Sequence, residues 1–238
     1  MATLAQLRRK VQSRLRDWGG DQWEEFELNQ ILNEAQDQFT RDTGYLRTVI
    51  EQNMQDGVSN YTLSAPAGYR INETLSVIYY DGVRDYPALI SVSLRQLELM
   101  SPDYRHVSGS VPMYYIRNFN PATTAPTTDT FYLYPTPDIG AATDKRLRVN
   151  VTLMTDNQMA ADGTEMALPE RIAEEAIINY AVAEALMREC MAIPDKADLF
   201  MKQVEYYRSK YLDRMVRAAA EAKTGFDRGM NTVRGYWV

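Results

Sequence analysis

Carboxylates, one histidine and one cysteine are the groups in this 238-residue chain whose types could do chemistry. Cys190 and His106 each occur singly, so neither an intramolecular disulfide nor a Cys/His zinc constellation can be built. The acid pairs Glu24-Glu25 and Glu174-Glu175 fall in stretches of helical period, where adjacent side chains diverge over the surface. His106 follows Arg105 in the turn-like stretch SPDYRHVSG, with no acid beside it to orient the ring. One set does suit a hydrolase acting on carbohydrate. Asp81, Asp85, Asp103, Asp129 and Asp138 would have to converge beside a concave aromatic site using Tyr79, Tyr80, Tyr114 and Tyr115. Their spacing gives no reason for them to converge. There is no phosphate-cradling glycine loop, metalloprotease helix motif or nucleophile elbow. The expectation is a protein that is no enzyme and needs no metal or cofactor.

The formal net charge of -6 argues against a protein whose main task is gripping phosphates. A local exception is the RRKVQSRLR stretch. Its Arg8, Arg9, Lys10, Arg14 and Arg16 are candidates for contact with DNA or a partner, with a solvated helix face as the competing reading. Salt-sensitive DNA binding by the isolated protein would favour the first. The N-terminal stretch has scattered basic residues and no apolar run, and AIINYAVAEALM is interrupted by Asn179 and Glu184, so no membrane partner is expected. The sequons at Asn60, Asn72 and Asn150 then carry no glycan.

The elements that must position these residues fall into three zones. Leu4, Leu7, Val11, Leu15 and Trp18 recur at helical steps until Gly19-Gly20. Asp21 and Glu24 have the spacing of a reciprocal cap for a second helix, with Leu28, Ile31, Leu32, Ala35 and Phe39 on one face and Thr43-Gly44 as its exit. After about Gly57 the texture changes to short runs rich in aromatic and β-branched residues: YTLSAP, ETLSVIYYDGV, PMYYIRNF, TFYLYP and RLRVNVTLM. Asp81-Gly82 reads as a tight turn, and SLRQLELM as one or two helical turns ending before Pro102. NPATTAPTTD, residues 120–129, is a projecting loop. Helical period returns at Pro169, with Ile172, Ala176, Tyr180, Ala183 and Met187 on one face. A longer helix follows from Asp195 to about Lys223, striped by Phe200, Val204, Tyr207, Tyr211 and Met215.

The fold expected is α+β: N- and C-terminal helix pairs (residues 1–57 and 157–224) forming one bundle, an inserted, mainly antiparallel β module (58–156), and an extended C-terminal tail (225–238). In this order LNQILNEAQ, FYLYPTPD and LPERIAEEAIINYAVAEAL resemble the head-to-tail adaptor family of tailed bacteriophages, also called connector or tail tubular proteins. The resemblance spans nearly the whole chain, and none of its motifs is catalytic.

The resemblance implies a structural virion protein, assembled in the host cytoplasm and placed at the head-tail junction. It implies a ring, usually of twelve copies, docked under the portal protein, joined to a downstream tail (nozzle) protein, and surrounding a channel for double-stranded DNA. An acidic or neutral lumen lets DNA slide. The resemblance also suggests that Pro135 and Pro137 mark a rim where they protect a sheet edge. It points to the tail as an anchor on the portal or a neighbouring subunit through Phe226, Arg228, Arg234, Tyr236, Trp237 and Val238. Gly225, Gly229 and Gly235 are expected to keep that segment out of a helix.

Overall fold

The computed structural model describes residues 2–17, 19, 22–117, 128–140, 144–155, 159–193 and 197–227. The chain opens with α1 (Leu4–Leu15) and α2 (Glu25–Thr43). Next come β1 (Arg47–Asn53), β2 (Asn60–Ser64), β3 (Tyr69–Tyr80), β4 (Asp85–Ala88) and β5 (Ile90–Ser91). Helix α3 (Leu94–Met100) and a 3-10 turn at Tyr104–His106 separate these from β6 (Ser108–Gly109), β7 (Tyr114–Arg117), β8 (Thr128–Tyr134), β9 (Thr136–Pro137) and β10 (Arg146–Thr155). Helices α4 (Glu170–Ala192) and α5 (Ala197–Asp227) follow. The fold is α+β and divides into two compact units, one helical and drawn from both ends of the chain, the other being Arg47–Met154.

In the helical unit, α1 is capped by Thr3, whose hydroxyl accepts from the Gln6 amide while the Gln6 side chain accepts from the Thr3 amide at 3.0 Å. The helix stops earlier than Gly19-Gly20. Arg16 takes a left-handed conformation (φ 62°), and the buried Asp17 carboxylate accepts from the amides of Gln22 and Trp23, folding the chain into a turn. Glu24 rather than Asp21 caps α2, with its amide donating to Glu27; Asp21 lies outside the described residues. Gly44 closes the helix in the left-handed conformation, its amide donating to the Thr40 carbonyl. Leu28, Ile31, Leu32, Ala35 and Phe39 are all fully buried. Helix α2 packs against α4, which also packs against α1 and α5. A helix covered on several sides needs more than a stripe, and Ile177, Ile178, Ala181, Val182 and Ala185 join the expected positions in the core. Removing each of the larger side chains among these, leucine, isoleucine, valine or phenylalanine, from water contributes about 1.5–3 kcal/mol.

In the second unit the strand orders are β1-β10-β3-β4 and β2-β8-β7-β5, with a short parallel pair of β6 and β9. Leu147, Val149 and Val151 alternate inward along β10. The Asp81-Gly82 turn forms as expected, Gly82 having φ +97°, and Ser93 caps α3. Two boundaries differ from the sequence reading. Helix does not continue toward Gly57, because Arg47–Asn53 is recruited as a strand by antiparallel pairing with β10, Ile50 opposite Val149. Helix α5 passes through Gly225 to Asp227, since one interior glycine costs only about 1 kcal/mol and Ala218 and Ala222 are seated in the core.

The two prolines also sit differently. Strand β8 lies inside its sheet, paired with β2 on one side and β7 on the other, so Pro135 and Pro137 protect no edge of it. They end an inner strand and redirect it. The Tyr134-Pro135 peptide is cis, and Thr136–Pro137 then pairs with Ser108–Gly109.

Candidate docking surfaces

Helix α1 carries the basic stretch, and its register decides what each cation does. Arg8 is only 7% exposed. Its guanidinium reaches Glu25 at 3.2 Å and Asp162 at 2.9 Å and donates to Asn29 at 3.2 Å. Asp162 is held there because residues 162–166 run against the start of α1: Leu4 N donates to Thr164 O and Met166 N to Ala2 O. Lys10 pairs with Glu174, and Arg14 with both oxygens of Glu175 at 2.9 and 3.0 Å. These three cations and the Glu174-Glu175 pair fasten α1 to α4 and to the segment before it. Arg9 and Arg16 remain exposed, with no ion pair among the described residues.

In the second unit the loop acids serve turns and ion pairs. Asp81 Oδ1 accepts from the amides of Arg84 and Val83 at 2.8 and 2.9 Å, which holds its carboxyl below the usual range. Asp85 and Glu51 flank Arg148 at 2.8 and 3.1 Å, and Glu51 also binds Arg146 at 2.9 Å. The Arg146 hydrogen bond, partly opposed by burial, lowers the Glu51 pKa. A glycosidase acid needs the opposite shift. Tyr79 and Tyr115 are buried, while Tyr80 lies under the Arg148 guanidinium, 4.1 Å from its ring centroid. Asp103, His106 and Asp138 are exposed, and the Asp129 side chain lies outside the described residues. Among the described residues no three acids, histidines or cysteines are grouped to hold a metal.

Two apolar features of the helical unit are left open. Phe26, in the run Glu24-Glu25-Phe26-Glu27, is 73% exposed, and beside it a hollow is lined by Gln30, Glu34 and Asp37. Elsewhere a groove of about 590 Å³ runs between the end of α1, the end of α4 and the start of α5. Leu186, Leu199, Phe200 and Tyr206 line it together with Arg16 and Lys202. Its edge is anchored where Gln22 and the Trp23 indole both donate to Glu189, at 2.8 and 2.9 Å.

A family model described as SU10 adaptor protein matches residues 2–235. The chain belongs to the SU10 adaptor protein family. That family is one of phage head-tail adaptors, so the protein has a structural role in the virion. No curated protein matches the chain. Among the described residues no helix is long and apolar enough to cross a membrane.

An SU10 adaptor works through contact, so exposed apolar residues matter more than carboxylates. Arg228, Arg234, Tyr236, Trp237 and Val238 lie outside the described residues, as does the Phe226 side chain; residues 120–127 of the threonine-rich loop do too. Neither Phe26 nor the groove stood out in the sequence. Phe26 carried a signal there, an aromatic off the buried face among three glutamates; the groove carried none, because its walls come from three separate helices.

Proposed function

We propose that the chain is the subunit of a head-to-tail adaptor ring, usually of twelve copies, that docks under the portal protein. The ring joins capsid to tail, receives a downstream nozzle protein, and surrounds the channel through which double-stranded DNA leaves during ejection. The family match across residues 2–235 carries this reading. Support comes from the outward faces of α4 and α5, where Met191, Leu199, Tyr206, Leu212 and Val216 are all exposed on single chains. Such residues are expected where a subunit completes its burial by association.

The net charge of -6 sets the order of assembly. Free copies repel one another, and a portal template that contributes binding energy offsets this, so the free chain is a monomer or weakly associating. The tail, through Phe226, Arg228, Arg234, Tyr236, Trp237 and Val238, anchors each copy to the portal or to a neighbour. Arg9 and Arg16 are the basic residues of α1 open to DNA or a partner. The experiment is co-sedimentation of the purified chain with its cognate portal. Stoichiometric attachment is expected. A chain that stays in the supernatant at every salt concentration would refute the reading.

A further inference from the structure

The helical unit carries a protruding aromatic residue and an open groove that do not meet within one chain. Leu28, on the buried face of α2, is two residues from Phe26, which places Phe26 roughly 200° around the helix and outward from the bundle. The groove opens at the ends of α1 and α4 and the start of α5, and Phe26 lines no part of it. The chemistry of the two is complementary. Phe26 is flanked by acids: Glu24 and Glu25 are exposed, the latter paired with Arg8, Glu27 is half-buried, and Asp37 and Glu34, which pairs with Arg188, line the hollow beside it. The groove offers Leu199, 59% exposed, and Tyr206, 56% exposed, with the uncommitted cations Arg16 and Lys202 at its margin.

We infer that the occupant of this groove is Phe26 of a second copy of the chain. The aromatic ring seats between Leu199, Phe200 and Tyr206, and its flanking carboxylates face Arg16 and Lys202. Because protrusion and groove are different patches, the contact is heterologous: each copy gives one and receives one. Repetition therefore continues from copy to copy and closes a ring if the rotation per step permits, whereas two identical patches would stop at a dimer. The apolar seat supplies the binding, and the charge pairing fixes orientation and makes the contact salt-sensitive. This rests on the ring reading above and assigns the surfaces that form it.

The test uses two full-length chains in a Cys190→Ala background, one carrying Gln30→Cys, beside Phe26, and the other Gln203→Cys, on the groove wall, so that Phe26 and its apolar seat stay intact. Both positions are exposed, so the fold tolerates the changes, and circular dichroism melting verifies it. A short bis-maleimide captures a weak contact that need not survive purification. An equimolar mixture should give linked heterodimer at about tenfold the yield of linked dimer from either chain alone, a difference of about 1.4 kcal/mol in contact free energy. Equal yields from single chains and mixture would overturn the proposal, as would linkage seen only after residues 228–238 are deleted, which would assign the groove to the chain's own C-terminal segment. Rings on the portal without this cross-link would sink the surface assignment and leave the ring standing. The cross-link without rings would do the reverse.

Discussion

The Tyr211 hydroxyl on α5 donates to Asp42 on α2 at 2.7 Å, joining helices separated by most of the chain. Its ring is buried and meets Phe39 and Tyr180 edge-on, with centroids at 6.4 and 5.2 Å. Tyr211→Phe keeps the ring and removes the hydrogen bond, so the chain should lose about 1 kcal/mol, read as a lowered melting temperature at neutral pH. Burial first, and the Asp42 carboxylate second, push the Tyr211 phenol well above its ordinary value. The unfolded phenol ionises near pH ~10, so this stabilisation is complete below that pH and declines as pH rises above it. The Tm gap between wild type and Tyr211→Phe should therefore narrow between pH 8 and pH 11, in melts followed by circular dichroism.

Two neighbouring arginines on α1 should behave in opposite ways. Arg8→Ala removes a buried stem and its bonds to Asn29, Glu25 and Asp162, so a loss of about 2 kcal/mol is expected in urea unfolding. Arg9 is exposed, and Arg9→Ala should change stability by less than about 0.5 kcal/mol. Equal effects would mean that the packing around Arg8 does not hold α1 in place.

Gly109 faces the proline ring that redirects β8. A Cβ there would come within 2.8 Å of Pro135 Cγ, and that ring has little freedom to withdraw. Gly109→Ala should cost about 1–3 kcal/mol, whereas Gly163→Ala, where a Cβ meets nothing within 4 Å, should lie within about 0.5 kcal/mol of wild type. Thermal melts of the two variants give the comparison.

How far the fold was legible depended on how local its causes are. The Thr43-Gly44 exit of α2, its five-residue apolar face and the alternation of β10 are each set by neighbours in sequence, and each is found where expected. Strand β1 was missed because its RTVIEQN stretch has Val49 and Ile50 adjacent rather than alternating. Its state is decided by β10, about a hundred residues on. The role given to Pro135 failed for the same reason: only the pairing of β8 with both β2 and β7 reveals an inner strand. The basic cluster was visible as composition. That Arg8, Lys10 and Arg14 turn toward Glu25, Glu174 and Glu175 depends on the α1 register against distant acids.

Removing residues 228–238 separates anchoring from folding. The described core residues of both units lie outside this segment, so the truncated chain should melt within about 2 °C of the full chain, the shift expected when under 0.5 kcal/mol is lost. On the proposed role of Tyr236 and Trp237, it should fail to co-sediment with portal. Attachment equal to that of the full chain would move the anchor to Arg9 and Arg16 on α1 or to the loop at residues 120–129.

Negative-stain electron microscopy decides whether this chain forms a ring on the portal. The purified chain should be imaged alone and after mixing with its cognate portal. Alone it should give small particles of monomer size; with portal it should add one ring of density around the portal axis, with an open central channel. Portal particles unchanged by the addition of saturating chain would rule out the ring.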